Sequence, residues 1–210
     1  MPVQKASLYE HLFPLTTIMK QRIVERFNGD ALDERWQTRD IIGTATFAMV
    51  DAIDEGFEII TSAGIDHNSQ IDFNNIRQYS NIASVIIIVG RRVTATDTDY
   101  TIGFYDDAPD ASTTSRSRMR DFSGSTFKGL NTHDGTTDSQ TNSSVAVDTI
   151  FRTYKIEMRS ADNRLFIDGI LEVTKTTNLP TQKLQPQFHM QSKAVATSTG
   201  RIRYLEAFNT

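Results

Sequence analysis

The chain has 210 residues, 38% hydrophobic and 23% charged, with a net charge of −4. That length suits one large β-sandwich and is enough to bury a real core. The acidic balance weighs against a general nucleic-acid binder. The absence of cysteine excludes disulfides, a thiolate nucleophile and a Cys-based zinc site.

Residues 1–26 differ from the rest of the chain. No apolar leader core appears behind Met1-Pro2-Val3, because Glu10, His11, Pro14, Lys20 and Arg22 interrupt every candidate. No apolar run is long enough to span a bilayer. Cytosolic synthesis without membrane insertion is therefore expected. Ser7 and Glu10 have the spacing of a capping box, and Pro14 divides the segment. Leu15, Ile18, Met19 and Ile23 recur at roughly helical spacing. Two readings stay open. The segment either caps its own domain or is an arm that docks on a neighbour through Leu8, Leu12, Phe13, Leu15, Ile18 and Ile23.

From Phe27 the helical period fades and short apolar runs alternate with Gly, Asp, Asn, Ser and Thr. Strands are expected over 43–50, 57–61, 70–73, 82–93, 100–105, 118–122, 145–149, 152–159, 164–167, 171–176, 185–191 and 201–208. Val85-Ile86-Ile87-Ile88-Val89 lacks alternation and predicts a central strand covered on both faces. Tyr154, Ile156 and Met158 alternate with Lys155, Glu157 and Arg159, which predicts one wet face. Asp168-Gly169 supplies two positive-φ positions for a type I′ hairpin turn. The stretch 106–144, rich in Ser, Thr, Asp and Gly, reads as short strands joined by long exposed loops.

Several of these segments resemble one superfamily in order. Phe27-Asn28-Gly29-Asp30-Ala31-Leu32-Asp33-Glu34-Arg35-Trp36 resembles the "F-x-G-x-x-L-D-x-x-W" opening of concanavalin A-like lectin/glucanase domains. Gly56-Phe57-Glu58-Ile59-Ile60-Thr61 is similar to their "G-x-x-I-x-T" strand. Tyr154-Lys155-Ile156-Glu157 with Leu165-Phe166-Ile167-Asp168-Gly169 is similar to their late hairpin, and 201–208 to their closing strand. The resemblance implies an all-β fold: a two-sheet antiparallel jelly-roll sandwich over 27–210, after a short helical N-terminal segment at 1–26. It places Trp36 in the core or at its cap. Function is less constrained, because this fold hosts lectins, hydrolases, adhesion modules and virion proteins.

The catalytic signals are thin. The glucanase branch uses "E-x-D-x-x-E" or "E-x-D-x-E" strands that set carboxylates on one concave face. The nearest match, Asp51, Asp54, Glu55 and Glu58, reads as a turn, and Glu157 has no obvious opposed partner. His11, His67, His133 and His189 lack metal-ligand spacing, and no Ser lies in a nucleophile elbow. No cofactor is required. Asp97, Asp99, Asp106, Asp107 and Asp110 would suit Ca²⁺, although solvated turns explain them as well. Tyr79, Tyr100 and Tyr105 are candidate sugar platforms. Arg116, Arg118 and Arg120 fall on one strand face, either as a solvated edge or as a contact for an acidic neighbour or an anionic glycan.

The function expected from these features is a non-catalytic virion-associated jelly-roll protein, a capsid decoration or tail component. It would sit in a virion or other extracellular assembly, with copies of itself or other subunits as partners. The alternative is a lectin-like module for surface glycans, with a glycoside hydrolase ranked below both.

Overall fold

The computed structural model describes residues 22–28, 31–50, 56–94, 96–106, 115–122 and 124–210. These residues form fifteen strands in chain order, β1 to β15. They are β1 (Arg22–Glu25), β2 (Gln37–Ile42), β3 (Ala45–Val50), β4 (Gly56–Thr61), β5 (Asn68–Asp72) and β6 (Ala83–Arg92). Then come β7 (Thr98–Tyr105), β8 (Arg116–Asp121), β9 (Phe127–His133), β10 (Asp138–Ala146) and β11 (Arg152–Arg159). The chain closes with β12 (Asn163–Ile167), β13 (Ile170–Lys175), β14 (Gln185–Ser192) and β15 (Thr199–Asn209). Sheet one runs β13-β12-β11-β6-β15-β4-β3, with β1 also paired to β15. Sheet two runs β10-β9-β8-β7-β14-β5-β2. Every pairing is antiparallel. The expected two-sheet antiparallel sandwich is the fold.

Alternation explains how the sheets close on each other. Ile86, Ile88, Tyr154, Ile156, Met158, Leu165 and Ile167 project inward from sheet one, each at most 2% exposed. Ile71, Ile102, Phe104, Met119, Leu130, Phe188 and Met190 meet them from sheet two, all at 0%. Trp36 packs against Phe27 and Phe73, with ring centroids 6.0 and 5.5 Å away. The fully buried Tyr100 lies where Gly90 and Gly200 pass beneath it. A Cβ at Gly90 would come 2.2 Å from the Tyr100 hydroxyl oxygen, so the missing side chain makes room for the ring. β6 is central, between β11 and β15, but Ile87 and Val89 on its outer side are only half-buried. The Asp168-Gly169 turn has φ of +52° and +84°, as the I′ geometry demands.

The inter-sheet space is not all apolar. Asp121 of β8 takes Arg92 of β6 at 3.2 Å and Lys128 of β9 at 3.5 Å. Lys128 reaches on to Asp148 at 3.0 Å. Arg92, Asp121 and Lys128 are at most 6% exposed. Burial pushes the Asp121 carboxyl above the ordinary aspartate range, while Arg92 and Lys128 oppose that shift.

Two expectations need correction. Arg22–Glu25, at the end of the segment read as helical, is a strand paired with Glu206 and its neighbours on β15. Ile23, counted among the docking residues, is 2% exposed inside the sandwich's own core. Leu8, Leu12, Phe13, Leu15 and Ile18 lie outside the described residues. Within 106–144, β8 stands where a strand was expected at 118–122, while β9 and most of β10 occupy stretches read as loop; β9 is buried along Lys128–His133 although Leu130 is its one core aliphatic.

Candidate functional site

The outer face of sheet two is polar across its whole width. Cross-strand register sets its side chains in rows. One row runs Arg39, Gln70, His189, Thr101, Arg120 and Gly129. The next runs Gln37, Asp72, Gln187, Gly103, Arg118, Asn131 and Gln140. A third runs Gln185, Tyr105, Arg116, His133 and Asp138. Their sequence neighbours Ile71, Phe188, Ile102 and Met119 fill the core, so the two-residue period sends these groups to the other side. The margins β2 and β10 are largely exposed, whereas β5, β14 and β7 are buried at every residue.

Buried polar groups need partners, and here a chain of them runs along the face. Arg118 donates from Nη1 to the Tyr105 hydroxyl at 3.1 Å. Tyr105 donates to Thr101 Oγ1 at 3.0 Å, and Thr101 Oγ1 lies 3.2 Å from His189 Nδ1. Asn131 Oδ1 accepts from Arg116 Nε at 3.1 Å and Arg118 Nε at 2.8 Å, while its amide donates to Asp138 at 2.7 Å. Arg120 pairs with Asp99 at 2.9 Å and lies over the Phe122 ring, and Arg39 pairs with Asp72 at 2.9 Å.

The set of amides stays incomplete. Gln187 is 0% exposed, and neither its Oε1 nor its Nε2 has a hydrogen-bond partner. The carbonyl oxygens of Gln70, Gln185 and Asn68 are also buried without partners. Each such orphan costs roughly 1–3 kcal/mol. Acceptors of this kind suit hydroxyl donors. Between Gln187 and Arg118 the row passes through Gly103, which has no side chain, at φ +156°. A Cβ there would come 2.5 Å from the Ser117 carbonyl oxygen, so glycine is the residue the backbone accepts.

Asp66 and Asp99 both reach Lys193 Nζ, at 2.9 and 3.8 Å, so a cation stands between these two carboxylates. Burial pushes Asp72 up, against a hydrogen bond from Gln70 and the Arg39 charge. Burial also acts to raise Asp138, but Arg116 and Asn131 hold it below the ordinary range. Asp72 and Asp99 stand two strands and four register positions apart, about 16 Å between Cα atoms at ordinary strand spacings. Carboxylates flanking one glycosidic bond sit closer, within roughly 10 Å.

Several sequence candidates fall elsewhere. Tyr79 and Tyr100 are not platforms: their rings pack inside the core against Phe104 and Phe188, both at 5.4 Å. Tyr105 is on the polar face, but fully buried and bound through its hydroxyl. Arg116, Arg118 and Arg120 share that face as read; β8 is an interior strand, however, so they are not a solvated edge. Asp97 and Asp99 lie at one end of β7 and Asp106 just past the other, roughly 23 Å away at strand rise, which is too far to share a cation. Among the described residues no three His, Asp or Glu form a metal-binding group. Asp107 and Asp110, like Asp51, Asp54 and Glu55, are outside the described residues. Glu58 is paired with Arg201 on the outside of sheet one, on the opposite side of the molecule from the polar face. The group of amides Gln70, Gln185 and Gln187, one in each of the three rows, was not foreseen. Its signal was the alternation Gln185, Gln187, His189, Gln191 against Pro186, Phe188, Met190, where amides stood in place of the charges of a solvated face.

No protein-family model matches the sequence, and no curated protein matches it. Solved structures do match in shape. A Bacillus licheniformis β-glucanase superposes with TM-score 0.68 at 11% identity, covering 90% of this chain and 98% of its own. The transglycosylase Crh5 gives 0.66 at 14%, covering 90% and 84%. The carbohydrate recognition domain of Emp47p gives 0.62 at 14%, covering 90% and 94%. These neighbours correct the functional expectation. A non-catalytic virion component was expected; the structures found include glucanases, a transglycosylase and a glycosidic hydrolase, with no virion protein named among those above. The architecture is that of a concanavalin A-like jelly-roll sandwich, the fold of glucanases and of a carbohydrate recognition domain alike.

Proposed function

We propose that this chain is a carbohydrate-active domain that takes a saccharide along the outer face of sheet two. The observation that carries this reading is the set of buried, unpartnered amide atoms on Asn68, Gln70, Gln185 and Gln187. Sugar hydroxyls donate and accept at short range, and such amides answer them better than water-filled charges do. The hydrogen-bonded chain from Arg118 to His189 fixes the surrounding groups before a ligand arrives, which lowers the ordering cost of binding. The carbohydrate-active names among the structural neighbours agree with this choice of ligand.

The test is binding and turnover together. The full chain is titrated calorimetrically with β-glucans, galactans and uronic-acid polymers, and the same mixtures are assayed for chain cleavage and transfer. Saccharide binding that falls about tenfold in Gln187→Ala, the loss of one or two hydrogen bonds, is the expected result. Failure to bind or process any of these polymers overturns the proposal.

A further inference from the structure

Sheet one carries an apolar stripe on its outer side. Register sets Phe208 beside Val85, Glu206 beside Ile87 and Tyr204 beside Val89, and Val24 of β1 stands next to Glu206. Their sequence neighbours Ile23, Ala207 and Ile86 belong to the core, so the two-residue period turns these groups outward. Val24 is 40% exposed, and Ile87, Val89, Tyr204 and Phe208 are half-buried. Glu206, within the stripe, is already paired: it takes Arg22 at 2.8 Å through Oε1 and the Tyr204 hydroxyl at 2.6 Å through Oε2. Covering the stripe therefore strands no carboxylate.

The unalternating run from Val85 to Val89 is the sequence of a strand covered on both faces, yet among the described residues no strand or helix lies over the outer one. The chain before β1 supplies matching chemistry. Leu8, Leu12, Leu15 and Ile18 recur at helical spacing within residues 1–21, and Ile23, which continues that apolar set, is already buried in the sandwich's own core. The chain enters β1 at Arg22, whose register partner is Phe208, at one end of the stripe. From β1 to β6 is about 10 Å, two strand spacings, and from Tyr204 to Phe208 about 13 Å. Leu8 to Ile18 spans about 15 Å at helical rise, so the apolar set matches the stripe in length. Helices this short are marginal alone and form against a surface. Attachment at Arg22 holds the segment beside that surface at an effective concentration that a free partner does not reach.

We propose that residues 1–21 fold back over the outer face of sheet one and seat Leu8, Leu12, Leu15 and Ile18 on the stripe formed by Val24, Ile87, Val89 and Phe208 of their own chain. Arg22, with its side chain 61% exposed, and the Lys155–Glu157 pair on β11 stay at the wet margin of that contact. The proposal is independent of the saccharide reading, which concerns the opposite side of the sandwich.

The test is methyl NMR on the full chain. Nuclear Overhauser cross-peaks are expected from the Leu12, Leu15 and Ile18 methyls to those of Ile87 and Val89. A soluble nitroxide should broaden the methyls of Ile65 and Val195, exposed by 62% and 77% beyond the other end of β15, and leave those of Val24, Ile87 and Val89 sharp. Ile18→Asp should uncover the stripe, so that the nitroxide broadens Ile87 and Val89 as well. Absent cross-peaks overturn the proposal. Cross-peaks that arise between isotopically distinct copies in a mixed sample overturn it too, because they make a second molecule the occupant. So does a stripe that the nitroxide reaches in the unaltered protein, which means a bare face, or one that stays shielded in Ile18→Asp, which means another partner. The cross-peaks of the unaltered protein decide the question alone should Ile18→Asp fold poorly.

Discussion

The outer faces of the two sheets treat polar residues in opposite ways. On sheet one, Lys155 pairs with Glu157, and Arg22 with Glu206, with at least one partner of each pair well exposed. These pairs are solvated, and contacts of this kind contribute about 0–1 kcal/mol. On sheet two the counterparts are buried, hydrogen-bonded in chains, and left with orphan atoms at Gln70, Gln185 and Gln187. Both sheets alternate, so alternation alone does not separate a wet wall from a binding face. The difference lies in composition and company: separate charged pairs on one side, and amides, histidine and arginine in register on the other. A polar group held away from water without a partner is unfavourable for stability, and the proposed saccharide would supply that partner.

The largest expected contrast sets a buried charge of sheet two against a solvated one of sheet one. Asp121→Ala leaves Arg92 facing no carboxylate at that position and should destabilise by about 3–5 kcal/mol. Glu157→Ala, on the wet face, should change stability by no more than about 1 kcal/mol. Chemical denaturation of both variants measures the gap. Equal effects would show that the charged cluster between the sheets is as solvated as the outer face of sheet one.

Next in size is a pair of glycine substitutions. At Gly169, in the sheet-one hairpin, a Cβ meets nothing within 4 Å, so Gly169→Ala should cost about 1–2 kcal/mol for its positive φ alone. At Gly103 the Cβ would also press on the Ser117 and Arg118 backbone, adding about 1–3 kcal/mol of overpacking. Thermal melting should place Gly103→Ala below Gly169→Ala. The reverse order would mean that the backbone around Gly103 yields easily.

The smallest effect concerns pH. Asp72 is raised by burial, so its contribution to stability is greatest in acid and declines as pH rises through its folded pKa. For Asp138, burial is outweighed by Arg116 and Asn131, so its contribution is present above the unfolded pKa and is lost as pH falls through the folded one. Carboxyl-carbon NMR titration should find Asp72 above and Asp138 below the ordinary aspartate midpoint. A coincident pair would indicate that the centre of the face is as wet as its margin.

Much of the sandwich was legible in the chain. Tyr154, Ile156 and Met158 announced β11 by alternation, and Asp168-Gly169 fixed its hairpin partner strands by backbone sterics. β1, β2 and β9 were missed, and the strand expected at 145–149 meets β10 only in its last two residues. Ile23 fitted a helical period as well as a strand, β2 lies at an edge with an open pattern, and β9 holds one core aliphatic among polar neighbours. The arginine row on β8 was also readable, because a two-residue period needs only local sequence. The cluster of amides was not, since Gln70 and Gln187 are 117 positions apart and come onto neighbouring strands through β5–β14 pairing alone.

The sequence by itself determined the all-β fold class, the hairpin at Asp168-Gly169 and the common face of three arginines. Each follows from local stereochemistry or from an apolar period. Only the tertiary structure decided that this arginine strand lies inside sheet two, that Tyr79 and Tyr100 belong to the core, and that Gln187 and Arg118 face each other across Gly103. Those facts depend on which distant strands pair and in what register. Register is selected by burying the whole inner face at once, a collective free energy that no single stretch of the chain contains.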